Sequence, residues 1–231
     1  MASGTEKLVY SLIGDIGGTN ARFQLVSFTS KSSNYVNVKT QFYKTKDYKS
    51  CSECLNEFLK DFRGTEQYPQ NAVIAVAGAP YEGKVQITNV KWPVIDEKEL
   101  SKEFNIHPFT LINDFVAIGY AMTRLDKEDY VVLNEAKKSE NGTMIVAGPG
   151  TGMGECILQP VVNPNGEVSY NVFGTEGGHK NFAPSTPLEW DYLSFVLEEA
   201  PEVKDEIGYL STERSFCGPG IPNMYKFFCK R

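Results

Sequence analysis

Two glycine-rich stretches of this 231-residue chain carry residue types that could bind phosphate. Each places a threonine beside glycines and between apolar runs; the residues concerned are Gly17, Gly18, Thr19 and Asn20 in GDIGGTNARF, and Gly150, Thr151 and Gly152 in GPGTGMG. Such turns expose backbone N–H groups, which bind anions. For a single turn, the alternative interpretation is a hairpin that only reverses the chain. Two turns of the same composition, one in each half, predict two lobes that hold a single polyphosphate.

Asp15 stands directly before the first turn. A polyphosphate is expected to bring Mg²⁺, which prefers oxygen ligands, so we predict that Asp15 holds this ion, directly or through water. The turn lacks the lysine of the G-x-x-x-x-G-K-[ST] loop, and strand-like ARFQLV follows it where G-x-G-x-x-G would open a helix. An acyl-transfer or hydride-transfer enzyme that binds a dinucleotide therefore fits poorly.

Two further stretches hold polar residues that could handle an acceptor molecule. Asn113 and Asp114 stand in TLINDFVAIGY, where an apolar strand is predicted to end and a helix to begin; α/β folds expose ligand-binding groups at such positions. An alternative is that Asp114 only caps the helix. Glu176 and His179 flank two glycines in GTEGGHKNFAP. A single histidine is more often structural than a ligand, but the neighbouring glutamate and glycines favour a binding loop.

Periodicity and turn signals predict the elements that position these residues. They alternate as in an α/β chain. The predicted strands cover residues 8–14, 20–28, 35–43, 72–77, 84–88, 109–113, 130–133, 143–147, 154–162 and 168–173; the predicted helices cover residues 48–62, 96–104 and 187–199, a stretch opened by Asn113 or Asp114, and a last stretch from about Pro219. NPNG at 163–166 predicts a hairpin turn.

Composition limits the partners. Apolar residues make up 41% and charged residues 23%, which is typical of a globular chain. A net charge of −6 argues against nucleic acid or an anionic membrane, since both require a cationic face. Five cysteines form an odd set and no hydrophobic leader begins the chain, so we expect a reduced, cytoplasmic protein.

Cys51 and Cys54 form a C-x-x-C pair. No second such pair occurs to complete a zinc site, so two ordinary thiols on a helix opened by Asp47 or Ser50 are expected. Spacing alone leaves a thioredoxin-like role open.

Five motifs together resemble one protein family. GDIGGTNARF, INDFVAIGYAM, GPGTGMG, EGGHKNFAP and STERSFCGPG occur in the order found in bacterial-type glucokinases, members of the sugar kinase, Hsp70 and actin superfamily, and the resemblance runs from about residue 8 to the last residues. It implies a two-lobe α/β fold of the ribonuclease H-like, actin-like ATPase class with an incomplete second lobe. Residues 1–112 would form the small lobe with the first phosphate turn. Residues 113–231 would form a partial large lobe with the second turn and the sugar ligands.

The resemblance also implies an activity, the phosphorylation of glucose at the 6-hydroxyl with ATP and Mg²⁺, and roles for single residues. The Asp of INDF is the general base in the family, which here is Asp114. The implied glucose ligands are Asn89, Asn113, Asp114, Glu176, His179 and Glu213. The implied ATP phosphate site consists of Asp15, Gly17, Gly18, Thr19, Asn20, Gly150, Thr151 and Gly152. An alternative for Glu213 is a solvated surface pair with Arg214.

A general base suits this chemistry, because a hexose hydroxyl must lose its proton as it attacks phosphorus. The N-terminus of the following helix is expected to favour the ionised form of Asp114. It would therefore oppose any rise in the pKa of Asp114 that burial causes.

Family members continue well past the CGPG segment, so the resemblance implies a chain truncated at its C-terminus. Two alternatives stay open: a truncated hexose kinase, or a sugar-binding or regulatory remnant with weak transfer activity. The last helix carries Met224, Phe227 and Phe228 on one face, which must pack on the sheet, pair with another copy or stay exposed. We therefore expect a homo-oligomer. The resemblance further implies that most of the nucleoside pocket is missing, so we expect ATP to bind mainly through its phosphates and to differ little from GTP in affinity.

Overall fold

The chain divides into two compact units, Met1–Ala117 and Ile118–Arg231. The computed structural model describes residues 7–29, 34–87, 90–137, 139, 141–199, 209–218 and 220–231. The units meet at 117/118, whereas the sequence predicted lobes that meet at 112/113. The assignment of functions to two lobes stays a prediction.

The first unit is built on a five-stranded sheet with the strand order β3-β2-β1-β4-β7. Its strands are β1 (Leu8–Ile16), β2 (Asn20–Thr29), β3 (Val36–Lys44), β4 (Asn71–Val76) and β7 (Phe109–Asn113); β5 (Lys84–Val85) and β6 (Ile95–Asp96) form a separate pair, and the helices are α1 (Cys51–Leu59) and α2 (Glu97–Phe104). The strands β1, β2 and β3 form an antiparallel meander. In β2, Ala21, Phe23 and Leu25 are fully buried, the period of two that a strand with one core face requires.

Parallel pairing brings three strand ends to one edge of this sheet. β4 runs parallel to both β1 and β7, and the register aligns Ile16 with Val76 and Val76 with Asn113. The chain therefore leaves β1 and β7 at the same edge, where the predicted phosphate turn and the Asn113–Asp114 pair follow.

Helix α1 buries both thiols of the C-x-x-C pair. Ser50, not Asp47, caps the helix by accepting a hydrogen bond from the Glu53 N–H. Cys51 and Cys54 are buried free thiols, and burial raises the pKa of both, that of Cys54 to about 12. Because Cys51 and Cys54 are only 3% and 0% exposed, a disulfide substrate has no access to them, which argues against the thioredoxin-like role that spacing had left open.

The second unit contains an antiparallel sheet with the strand order β10-β9-β8. Its strands are β8 (Met144–Pro149), β9 (Met153–Val162) and β10 (Val168–Thr175), and its helices are α4 (Pro187–Glu199), α5 (Thr212–Phe216) and α6 (Gly220–Lys230); α3 (Asp114–Met122) begins in the first unit and ends in the second. The predicted hairpin turn is confirmed, because Gly166 N donates to Asn163 O at 2.8 Å and Gly166 has a φ of 82°.

The apolar face of α6 packs against α4. The rings of Tyr192 and Phe195 each lie 5.5 Å from that of Phe227, which is buried. The sequence predicted that this face packs on the sheet, pairs with another copy or stays exposed; Phe227 packs on α4 instead, which corrects the expectation for that residue. Phe228 on the same helix stays 59% exposed.

Several predicted element bounds differ from the structure. The predicted strand at 130–133 is wrong: this segment is irregular, and Val131 and Leu133 are 82% and 96% exposed. Of the predicted strand 84–88, the structure has β5 at Lys84–Val85 and no strand at 86 and 87, while residue 88 lies outside the described residues; α5 was not predicted. Among the described residues, no helix combines the length and the apolar character that a membrane span needs.

Candidate functional site

The first glycine turn leaves two backbone N–H groups without a hydrogen-bond partner among the described residues. Gly17 N donates to Asn20 O at 2.9 Å, which closes the turn. Thr45 fixes its inner side, because its N–H and its hydroxyl donate to the carbonyl oxygens of Thr19 and Gly18 at 3.1 and 2.8 Å. The N–H groups of Gly18 and Thr19 have no hydrogen-bond partner in the described part of the chain. They are available to an anion.

Strand pairing adds a cation to this turn. Asn20 lies opposite Lys44 in the pairing of β2 with β3, and Lys44 Nζ donates to Asn20 Oδ1 at 2.7 Å. The turn thereby gains the ammonium group that its own sequence lacks. Sequence analysis missed Lys44 because only the strand register brings it to Asn20.

Asp15 lies beside the turn in an open cleft. The cleft has a volume of about 440 Å³ and is lined by Asp15, Asn20, Arg22, Phe42, Tyr43 and Lys44. Arg22 faces Asp15 directly across the β1–β2 pair. The site therefore combines an exposed carboxylate with two cations, a composition that suits a polyphosphate and its metal ion.

Asn113, rather than Asp114, caps helix α3. Asn113 Oδ1 accepts hydrogen bonds from Phe115 N at 2.9 Å and Val116 N at 3.2 Å, while its Nδ2 donates to Gly78 O at 2.8 Å. Asp114 Oδ1 also accepts from Phe115 N, at 2.9 Å. The alternative that Asp114 only caps the helix is therefore wrong, because Asn113 accepts the N-cap hydrogen bonds at the start of α3.

Burial governs the ionisation of Asp114. Desolvation raises the pKa of this half-buried carboxyl above its ordinary value, and the negative charge of Asp15 raises it further. Hydrogen bonds from the Phe115 backbone and the Asn113 side chain lower the pKa, but by less. The predicted opposition from the helix N-terminus is therefore present, and burial outweighs it.

Asp15 and Asp114 belong to the same edge of the sheet. The registers align Asp15 with Ala75 and Ala75 with Ile112, two residues before Asp114. Two strand spacings separate Asp15 from Ile112, roughly 10 Å.

The second glycine turn is also closed by a backbone hydrogen bond, and a different residue, Gly218, holds it in place. Gly150 N donates to Gly152 O, and Gly218 N donates to Gly150 O, both at 2.8 Å. The N–H groups of Thr151 and Gly152 have no partner among the residues that the structure describes. This turn therefore also presents two free amide donors.

Glu213 connects the second turn to the Glu176–His179 loop. Its Oε2 accepts from Met153 N at 3.1 Å, and its Oε1 lies 4.0 Å from His179 Nδ1. His179 Nε2 lies 3.5 Å from Glu176 Oε2. The Glu213 side chain is only 14% exposed, so the alternative of a solvated surface pair with Arg214 does not describe it.

The structure thus gathers the predicted residues into two groups. In the first unit these are Asp15, Gly17, Gly18, Thr19, Asn20, Asn113 and Asp114, and in the second unit Gly150, Thr151, Gly152, Glu176, His179 and Glu213. Asn89 lies outside the described residues. In those that are described, no cluster of three or more His, Cys, Asp or Glu side chains could hold a metal ion by itself.

Comparison with solved structures defines the class. A glucokinase from an Antarctic psychrotroph superposes with a TM-score of 0.75 at 32% identity, over 98% of this chain and 65% of that chain. A glucokinase from Balamuthia mandrillaris, solved in complex with glucose, gives a TM-score of 0.67 at 21% identity, over 96% and 63% of the two chains. The predicted actin-like ATPase fold class is confirmed.

Comparison by sequence gives the family. The family model for glucokinase matches residues 12–231, and the chain belongs to the glucokinase family. It is 34% identical over 220 residues to the glucokinase of Nostoc sp. and 34% identical over 223 residues to that of Synechocystis sp.. These matches cover 95% and 94% of this chain, which spans about 60% of the length of either relative.

Proposed function

We propose that this chain acts in the ATP-dependent phosphorylation of glucose at the 6-hydroxyl. The observation that carries the proposal is Asp114, a half-buried carboxyl with a raised pKa that does not serve as the helix cap. A carboxylate with a raised pKa is a better proton acceptor than an ordinary aspartate, yet it stays ionised at neutral pH unless the rise is very large.

The proposed step is a single displacement. The 6-hydroxyl oxygen of glucose forms a bond to the γ-phosphorus of ATP while the bond to the β,γ-bridging oxygen breaks. The hydroxyl proton passes to the Asp114 carboxylate. ADP leaves with the electron pair of the broken bond, and glucose 6-phosphate is the other product.

The proposed phosphate ligands are the free N–H groups of Gly18, Thr19, Thr151 and Gly152, with Lys44 as an additional cation. Bound Mg²⁺ would neutralise charge on the phosphates, and the exposed carboxylate of Asp15 fits the role of its protein ligand, directly or through water. The proposed sugar ligands are Asn89, Asn113, Asp114, Glu176, His179 and Glu213. Carboxylate, amide and imidazole groups suit a sugar, because its hydroxyls both donate and accept hydrogen bonds.

Separate titrations and one assay test this proposal. Glucose and ATP with Mg²⁺ are each titrated calorimetrically, and glucose 6-phosphate formation is then followed with a coupled enzyme. We expect both ligands to bind, and Asp114→Asn to lose about 10²–10⁴-fold in turnover while it retains glucose affinity. Glucose binding without detectable turnover in the unaltered chain would instead favour a sugar-binding remnant. Full turnover in Asp114→Asn would remove Asp114 from the role of base.

A further inference from the structure

Glu155 on strand β9 is connected to the Glu176–His179 loop by two hydrogen bonds in series. Glu155 lies opposite Thr175, the last residue of β10, and the Thr175 hydroxyl donates to Glu155 Oε2 at 3.1 Å. The same hydroxyl oxygen accepts from Gly177 N at 3.4 Å. The carboxylate therefore holds the start of the loop through Thr175.

The loop also packs closely on the first residues of β9. A Cβ atom added at Gly177 would overlap the Glu155 carboxylate, and one added at Gly178 would lie 2.6 Å from Met153 O. Both contacts are closer than ordinary van der Waals distance, so glycine at these two positions permits the approach. The loop thus packs against both the Glu155 carboxylate and the Met153 backbone.

We infer that Glu155 is a positioning residue for Glu176 and His179. It fixes the backbone between these two side chains and thereby sets their separation, which is 3.5 Å between His179 Nε2 and Glu176 Oε2. Sugar ligands must be held in one geometry before the sugar arrives, since ordering them on binding would cost affinity. The positioning role of Glu155 is independent of the proposed function. Only the statement that the positioned groups bind glucose rests on it.

The two histidines allow a direct test of the positioning. The chain contains only His107 and His179, so the ring signals in a ¹H–¹³C spectrum can be assigned by one substitution. We expect Glu155→Ala and Thr175→Val to shift the His179 signals and to leave those of His107 in place. Glu155→Gln and Thr175→Ser keep an acceptor and a hydroxyl, so they should restore the His179 signals of the unaltered chain. Unmoved His179 signals in both Glu155→Ala and Thr175→Val would overturn the inference.

Glucose affinity supplies a second and separate readout. Loss of the positioning bonds should weaken glucose binding about tenfold in Glu155→Ala, and substantially less in Glu155→Gln. The matched control is Glu167→Ala at the other end of the same hairpin, where Asn165 binds the carboxylate at 2.8 Å; it should change neither readout. A chain that binds no glucose while Glu155→Ala still moves His179 would refute the proposed function and leave the positioning role intact. If Glu155→Ala shifts the His179 signals but binds glucose as tightly as the unaltered chain, the positioning by Glu155 has no effect on sugar binding, and that part of the inference is refuted.

Discussion

Asp114 is a carboxylate whose surroundings disfavour its ionised form. Because its pKa is raised in the folded chain, the folded state binds more protons than the unfolded state at pH values between the two pKa values. The free energy of unfolding that this group contributes therefore falls as the pH rises through that window. At neutral pH the ionised carboxylate destabilises the folded state.

We accordingly predict that Asp114→Asn increases the free energy of unfolding at neutral pH. The gain should shrink as the pH falls below the ordinary pKa of an aspartate, where the native carboxyl is neutral as well. Urea denaturation at both pH values measures the difference. Asp191→Asn, the same substitution at an exposed aspartate, provides the control. A destabilised Asp114→Asn at neutral pH would contradict the pKa argument.

Glu213 has two roles on its two oxygens, one toward the Met153 N–H and one toward His179. We predict that Glu213→Ala weakens glucose binding by about 1.5–3 kcal/mol, the range for a hydrogen bond to a charged group. Glu213→Gln keeps an acceptor for the Met153 N–H and should therefore preserve the fold of the second glycine turn while it weakens glucose binding. Calorimetry with glucose measures both, with Arg214→Ala as the neighbouring control. Unchanged affinity in both Glu213 variants would exclude this residue from the sugar site.

At the scale of the element, helix α3 depends on a glycine. Gly119 is buried, and a Cβ added there would lie 2.6 Å from Val172 Cγ1 and 2.7 Å from Cys156 Sγ. The helix thus approaches strands β9 and β10 more closely than any other residue would allow.

We predict that Gly119→Ala destabilises the chain by about 1–3 kcal/mol, the usual cost of overpacking a core. The sign is informative, because alanine stabilises an unconstrained helix by about 1 kcal/mol relative to glycine. Chemical denaturation measures the change. Adding Val172→Ala should recover part of the loss by removing the atom in closest contact. Stabilisation by Gly119→Ala would show that the helix can move away from the sheet at little cost.

Local patterns predicted the elements that rely on local physics. The hairpin at Asn163–Gly166 follows from its turn residues, and α1 from its apolar spacing and its Ser50 cap. The segment 130–133 has the β-branched composition of a strand, but a strand also needs a partner, and in the described residues it has none. Helix α5 is five residues long, too short for a periodic pattern to reveal.

Long-range pairing limits what the sequence could predict of the site. The motifs identified the turns and Asp114, and the structure assigned the helix cap to Asn113. Lys44 and Glu155 act through partners that strand register brings to them, 24 and 20 residues away. No short sequence motif contains both Lys44 and Asn20, or both Glu155 and Thr175, so these two contacts could be identified only from the structure.

At the scale of the whole molecule, the apolar surface around α6 sets the expected association state. An apolar cavity of about 220 Å³ lies between α4 and α6, and Ile221, Tyr225 and Phe228 on α6 are 58%, 72% and 59% exposed. Exposed apolar patches of this kind favour association between protein surfaces.

We predict that the chain self-associates through α6 and that Phe228→Lys shifts it toward monomer. Sedimentation velocity over a range of concentrations measures the distribution. Tyr35→Lys, at an exposed aromatic residue in the first unit, is the matched control and should leave the distribution unchanged. A concentration-independent monomer in the unaltered chain would contradict the prediction.

Helix α6 carries an exposed cysteine that a thiol reagent can modify. Cys51, Cys54, Cys156 and Cys217 are buried with raised pKa values, whereas Cys229 follows Phe228 on the helix surface and is exposed. A maleimide should therefore modify Cys229 alone in the folded chain, as peptide mass mapping can check. A fluorophore attached there would report on its surroundings without any engineered cysteine, and its quenching would follow the burial of this helix as conditions change.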